Sequence, residues 1–307
     1  PTDAASTFYD HLLWTHNGTG TLSGASTLTP VYTPATGETG TITLTLQAFA
    51  LAPCADVSDG MQLTINEAAQ AFAGPADVMC EGSTYTLSNA TASGYEGLVW
   101  STSGTGTFSD NTILKPVYTP SVADITAGSV TLTLTSDAFT SCTNAVSNML
   151  LNITRQVTVD AGSNNVICQT STFSPTDAAS TFYDHLLWTH NGAGTLSGAS
   201  TLTPVYAPAA GETGTITLTL QAFALAPCAD VSDGMQLTIN EAAQAFAGPA
   251  AVICEGSTYT LTNATASGYE GLVWSTSGTG TSSDNTILKA GYTPSVADIA
   301  AGSVTLA

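Results

Sequence analysis

The sequence predicts an all-β chain built as a tandem array of antiparallel β-sandwiches of two alternating types. Three observations carry this. The tryptophans Trp14, Trp100, Trp188 and Trp274 recur at near-constant spacing, each opening a related phrase (LWTHNGTGTLSG, LVWSTSGTGTFSD, LWTHNGAGTLSG, LVWSTSGTGTSSD). Apolar residues alternate with a period of two nearly everywhere, and no segment sustains the period of 3.6 that a helix needs. Gly, Pro, Asn and Ser punctuate short runs about every ten residues, the spacing of sandwich strands.

Residues 1–133 align without a gap to 175–307, a long period of 174, and differ at 11 positions, among them Phe108/Ser282, Val117/Gly291 and Asp77/Ala251. Inside it lies a weaker repeat in which WTHNGTGTLSGASTLTPVYTP is answered by WSTSGTGTFSDNTILKPVYTP. Type a and type b domains therefore alternate, with boundaries expected after MQLTIN, MLLNIT and MQLTIN: 1–67 (partial, a), 68–154 (b), 155–241 (a) and 242–307 (partial, b). Within the type b unit the expected strands are 84–90, 98–102, 116–119, 130–135 and 149–153, with Leu98, Trp100 and Thr102 on one face. The four tryptophans are the expected core anchors. Units this small lie near the lower limit for an independent core, so covalent staples or contacts with neighbours gain value.

Composition excludes several classes of function. Lys115, Arg155 and Lys289 are the only strong bases against 23 acidic residues, a formal net charge of -20. Nucleic acid and anionic membrane surfaces are excluded as partners, because both are recognised by clustered Lys and Arg. No window is apolar enough to span a bilayer, and no signal peptide or lipidation motif is present, although residue 1 falls within a repeat. The rarity of basic residues also predicts resistance to trypsin.

The series GPADVMCEGSTYTL, LVWSTSGTGTFSD and PVYTPSVADITAGSVTLTL, with a Cys shortly before the last strand, resembles the PKD-like and Ig-like tandem repeats of giant cell-surface adhesins in gliding Bacteroidota. The resemblance covers essentially the whole chain. It implies Ig-like/PKD-like sandwiches in an extracellular stalk or filament exported by the type IX secretion system, and it implies no catalytic residues.

Cys54, Cys80, Cys142, Cys168, Cys228 and Cys254 lack the close pairing of a zinc site, so disulfides in an oxidising compartment are expected. The simplest pairing joins Cys80 to Cys142 and Cys168 to Cys228, leaving Cys54 and Cys254 with partners outside the sequence. Each loop would stabilise by about 4 kcal/mol in the chain-entropy model. The alternative pairs Cys80 with Cys228, because the turns before the second and last strands of a sandwich lie at opposite ends.

The remaining candidates are weighed against plainer roles. The glycines of 104–106 lack the helix and Lys of a phosphate loop and are expected to supply positive φ in a hairpin turn. His11 and His16, with copies His185 and His190, face opposite sides of a strand and cannot share a metal; His16 is expected as a satisfied histidine at the core edge. The loops 54–60 and 121–128 offer carboxylates of the kind that bind calcium, at Asp56, Asp59 and Asp124 and their copies Asp230, Asp233 and Asp298, although Asp in such loops more often caps a turn. No other cofactor is expected. The sequons at Asn17, Asn89, Asn152 and Asn263 are expected by chance in so Thr-rich a chain.

The expected function is an extracellular structural and adhesive fibre at the cell surface. Its partners would be neighbouring repeats, further copies of itself, and a surface or glycan receptor. A carbohydrate-binding or spacer array of a secreted hydrolase is the alternative, and it requires an exposed aromatic platform. Enzymatic activity is not expected, since no acid, base and nucleophile converge.

Overall fold

A computed structural model describes residues 3–307 and divides into two units that meet between Arg155 and Gln156. In the first unit, β1 (Tyr9–His16), β2 (Gly40–Ala50) and β3 (Val57–Ile65) form an antiparallel sheet in the order β1-β2-β3. The sequence of β2, GTITLTLQAFA, shows why: Ile42, Leu44, Leu46 and Ala48 are buried on one face while β-branched Thr occupies the other. Leu12 and Trp14 of β1 project onto the same core, with Trp14 opposite Leu46.

A second core in this unit spans residues 73–153. Its larger sheet contains β4 (Asp77–Cys80), β5 (Tyr95–Thr102), β6 (Ser129–Ala138) and β7 (Ala145–Thr154) in the order β5-β6-β7-β4. All pairs are antiparallel except β7 with β4, which run parallel from Leu151 opposite Asp77 to Thr154 opposite Cys80. The opposing layer is made of short pieces: Gln70–Phe72 with Thr91–Ser93, and Thr107–Phe108, Val117–Thr119 and Tyr85–Thr86 side by side. The expected strand over 84–90 is thus cut down to Tyr85–Thr86, with a turn over the rest of that span. This arrangement, with a parallel first-to-last pair on one sheet, is an immunoglobulin-like sandwich. Trp100, Leu132, Leu134, Leu151 and Tyr118 fill it, and full burial of each aliphatic side chain stabilises by about 1.5–3 kcal/mol.

The second unit repeats the plan. There, β8 (Asn165–Cys168), β9 (Tyr183–His190), β10 (Gly214–Ala224) and β11 (Val231–Asn240) lie in the order β8-β11-β10-β9, with β8 parallel to β11. The core gathers Trp188, Tyr206, Leu218, Leu220, Met235 and Leu237. A fourth, smaller core joins Leu261, Ala264 and Ala290, with Trp274 and Leu306 packed against it. Beside it opens a cavity of about 530 Å³ bordered by Ile253, Tyr259, Tyr292, Val304 and Leu306.

One element departs from expectation. Residues 121–128 do not form an irregular loop: Val122–Ala127 is a helix, α1, and Val296–Ala301 is its copy, α2. Ser121 caps α1 by accepting from the Asp124 N–H while the Asp124 carboxylate accepts from the Ser121 N–H, and Gly128 ends it in the left-handed conformation. Six residues are too few to show a helical period, so the caps were the only available signal.

Candidate functional site

The most developed polar constellation recurs in every core. In each, a tyrosine donates to a carboxylate six residues later, and that carboxylate accepts backbone N–H groups from the Gly-x-Gly turn that follows the tryptophan strand. In the second core the Tyr118 hydroxyl lies 2.8 Å from Asp124 Oδ2, which also accepts from the Ser121 N–H at 2.9 Å, while Oδ1 accepts from the Thr105 N–H at 3.0 Å. Tyr292 and Asp298 repeat this with Ser295 and Thr279. The type a cores use glutamate: Tyr32 donates to Glu38 at 2.8 Å, and Glu38 accepts from the N–H groups of Thr19 and Ala35. Tyr206, Glu212, Ala193 and Ala209 form the other copy.

Electrostatics follow from this geometry. Burial works to raise the Asp124 pKa, but the N–H groups of Ser121 and Thr105 and the Tyr118 hydroxyl outweigh it, and the carboxyl is held below its ordinary range. The same opposition, again won by hydrogen bonds, lowers Glu38 and Glu212. Burial, reinforced by the bond to Asp124, pushes Tyr118 up to about 12. Asp124, Glu38 and Glu212 are thus held ionised, and Tyr118, Tyr32 and Tyr206, each pushed up, stay neutral, which keeps these latches closed.

The latch also corrects the reading of Gly104 and Gly106. Neither belongs to the left-handed glycines of the chain. A Cβ at Gly104 would collide with the Asp124 carboxylate, and one at Gly106 with the Tyr118 hydroxyl; Gly18, Gly20, Gly192 and Gly194 meet the same obstacle. Glycine is required by close approach rather than by φ.

Asp124 and Asp298 are therefore internal latch groups with their oxygens engaged by protein donors. Asp56 and Asp230 accept from the N–H groups of Ala50 and Ala224 across their loops, Asp233 accepts from the Ala161 N–H, and Asp59 stands opposite Leu46 in the β2–β3 ladder. Among the described residues no group of three or more His, Cys, Asp or Glu is placed to hold a metal ion. His11 and His185 stack on Phe49 and Phe223 at ring-centroid distances of 4.2 and 4.1 Å. His16 and His190 do lie at the core edge, beside Tyr32 and Tyr206, but their Nδ1 atoms are buried without a partner, so the expectation of satisfied histidines fails. Type b domains place Thr102 and Thr276 at this position, and each hydroxyl bonds the latch tyrosine. Trp14, Trp188 and Trp274 donate to Thr27, Thr201 and Ile287 carbonyls.

The cysteines divide unevenly. Cys80 and Cys228 are disulfide-bonded, whereas Cys54, Cys142, Cys168 and Cys254 are free thiols. The pairing of Cys80 with Cys142 and Cys168 with Cys228 is thereby corrected, and the register explains why. Cys80 pairs with Thr154 at the far end of β7, while Cys142 sits in the turn before that strand begins at Ala145. Ten residues of strand rise about 33 Å, far beyond a disulfide's Cα separation of about 7 Å. Cys168, opposite Asn240, and Cys228, before Val231, stand in the same relation. The Cys168 thiol lies 3.4 Å from Thr170 Oγ1, and this bond lowers its pKa.

No family model and no curated protein matches the sequence. Solved structures similar to the chain include three immunoglobulin domains of titin (11% identity, 74% of this chain and 87% of that one, TM-score 0.44). Extracellular cadherin domains 1–4 of protocadherin gamma B7 align at 12% identity over 92% of this chain and 83% of that one, with a TM-score of 0.44. The eight N-terminal Ig domains of Down Syndrome Cell Adhesion Molecule align at 10% identity over 87% and 38%, also with a TM-score of 0.44.

Proposed function

We propose that this is an extracellular structural and adhesive repeat protein, a stalk, fibre or filament at the cell surface of the kind implied by the resemblance to giant adhesins of gliding Bacteroidota and their type IX export. One observation carries the reading: the same sandwich, anchored by the same tryptophan and the same tyrosine–carboxylate latch, is built repeatedly, and its most elaborate polar groups are spent on holding turns. Tandem repeats of this kind extend reach without a unique reactive centre. The net charge of -20 keeps such a surface hydrated. No helix among the described residues is long and apolar enough to cross a membrane. Its partners, on this reading, are adjoining repeats, further copies of the chain, and a surface or glycan receptor.

Small-angle scattering of the purified chain tests the proposal. The expected radius of gyration lies well above the roughly 19 Å of a single compact body of this length. A value near 19 Å would overturn it. A carbohydrate-binding array is the second reading, favoured by the exposed Phe72 and its copy Phe246. It predicts retention on insoluble polysaccharide that disappears in a Phe72→Ala, Phe246→Ala double variant.

A further inference from the structure

The two domain types differ on the outer face of their larger sheet. In type b the Thr133 hydroxyl donates to Asn148 Oδ1 at 2.8 Å, so the two side chains satisfy each other across the β6–β7 ladder. In type a the same place holds glycine, with Thr45 opposite Gly60 and Thr219 opposite Gly234. Both glycines are exposed, neither has a positive φ, and a Cβ would meet its nearest neighbour at ordinary contact distance, 3.5 Å at Gly60 and 3.4 Å at Gly234. The fold does not require them. No register shift interrupts either ladder, so close approach of a ligand is the remaining use of a glycine inside a strand.

Beside the glycine the type a face builds a wall that type b lacks. His11 lies on Phe49 and His185 on Phe223 with ring planes 8° apart, whereas type b sets Gly97 opposite Asp137. Asp10 and Asp184 bond the imidazole Nδ1 at 2.9 and 2.8 Å, which makes Nδ1 the donor and leaves Nε2 to a ligand. Gln47 and Gln221, half-buried, stand between wall and glycine. Thr219, Gln221 and Phe223 share one face of β10 over about 13 Å.

We propose that this face of the type a sheet binds an uncharged polysaccharide. Sugar C–H faces lie against the His–Phe wall, hydroxyls bond the Gln amide, the Thr hydroxyl and the imidazole Nε2, and a ring sits over the glycine. Charge selects this ligand. A chain of net charge -20 repels an anionic glycan, and the carboxylate at the site is engaged by its imidazole, which leaves no free charge to draw a cation. The proposal deepens the glycan partner of the surface reading and rests on that reading for it. Its site is on type a sheets, whereas Phe72 and Phe246 belong to type b.

The test applies the whole chain to an immobilised glucan, mannan and xylan, beside a sulfated and a uronic-acid glycan. Retention is expected on at least one neutral polysaccharide, in low and high salt alike. Gly60→Asn with Gly234→Asn installs the type b residue; it should leave the urea midpoint unchanged or higher and weaken binding about tenfold, the loss of a hydrogen bond or two. His11→Ala with His185→Ala should weaken it likewise, while Phe72→Ala with Phe246→Ala should not. Retention on no neutral polysaccharide, retention on the anionic glycans alone, or binding undiminished in the glycine and histidine variants would overturn the proposal. So would binding lost only with Phe72 and Phe246. An extended particle that binds no glycan removes this site and leaves the stalk reading standing; a compact particle that binds one does the reverse.

Discussion

Residues 77–102 and 251–276 are nearly the same sequence in two different states. In the second core, Asp77–Cys80 is a strand with Met79 buried, and Trp100 is enclosed. In the fourth, 251–254 forms no strand, Ile253 is 37% exposed and Val273 is 70% exposed. The surroundings differ more than the sequences do. The second core has β7, whose Met149, Leu151 and Ile153 cover Trp100 and Met79 and whose backbone pairs with β4. Among the described residues no strand stands in that place in the fourth core. A short apolar run such as DVMC becomes a strand when a partner offers a ladder and a face to cover, not through its own propensity.

The largest test of this comparison is in β7 itself. Leu151→Ala removes a fully buried side chain and should cost about 3–4 kcal/mol, read as a lower urea midpoint for the transition of the second core. Leu306→Ala, at the half-open fourth core, should cost under about 1 kcal/mol. Equal losses would mean that β7 is not what distinguishes the two.

The latch is formed in both cores and should therefore behave alike in both. Gly104→Ala and Gly278→Ala each drive a methyl group into an aspartate carboxylate, and each should cost about 1–3 kcal/mol by urea unfolding. A loss confined to Gly104 would show that the latch matters only where the core is closed.

Titration of the latch sharpens the same point. Asp124→Asn should cost about 2 kcal/mol, since a neutral amide replaces a carboxylate that accepts three hydrogen bonds. The Asp124 pKa is depressed in the folded state, so its contribution is present above the ordinary carboxylate range near 4 and is lost as pH falls through the depressed value. Tyr118 shifts the opposite way: its contribution is complete below about 10 and is lost as pH rises towards about 12. Unfolding midpoints measured from pH 2 to 12 should show both edges in the wild type, and Asp124→Asn should flatten the acid one.

Much of the architecture was legible because alternation is a strong signal. Thr-Ile-Thr-Leu-Thr-Leu in β2 and its relatives fix both the strand and its buried face. The latch was legible in part: the phrases VYTPATGE and VYTPSVAD place an acid six residues after tyrosine in each repeat, but glutamate in one type and aspartate in the other conceal the equivalence. The role of the Gly-x-Gly turn was not legible, because close approach of a side chain from another part of the chain leaves no local pattern. Nor does cysteine spacing report which end of a strand a thiol occupies; that depends on β4 running parallel to β7.

The smallest effect comes from Asp77/Ala251, one of the two differences, with Met79/Ile253, that fall on the unpaired segment itself. Asp77 accepts from the Tyr85 hydroxyl at 2.7 Å and from the Val78 N–H, whereas the copy has Ala251 beside Tyr259. Losing these bonds is an alternative reason for the missing strand. Ala251→Asp restores them without supplying a partner for the ladder. If the partner decides, the variant should shift stability by no more than about 0.5 kcal/mol, because the site is exposed, and amide hydrogen exchange across 251–254 should stay fast. Slowed exchange there would assign the strand to Asp77 rather than to β7.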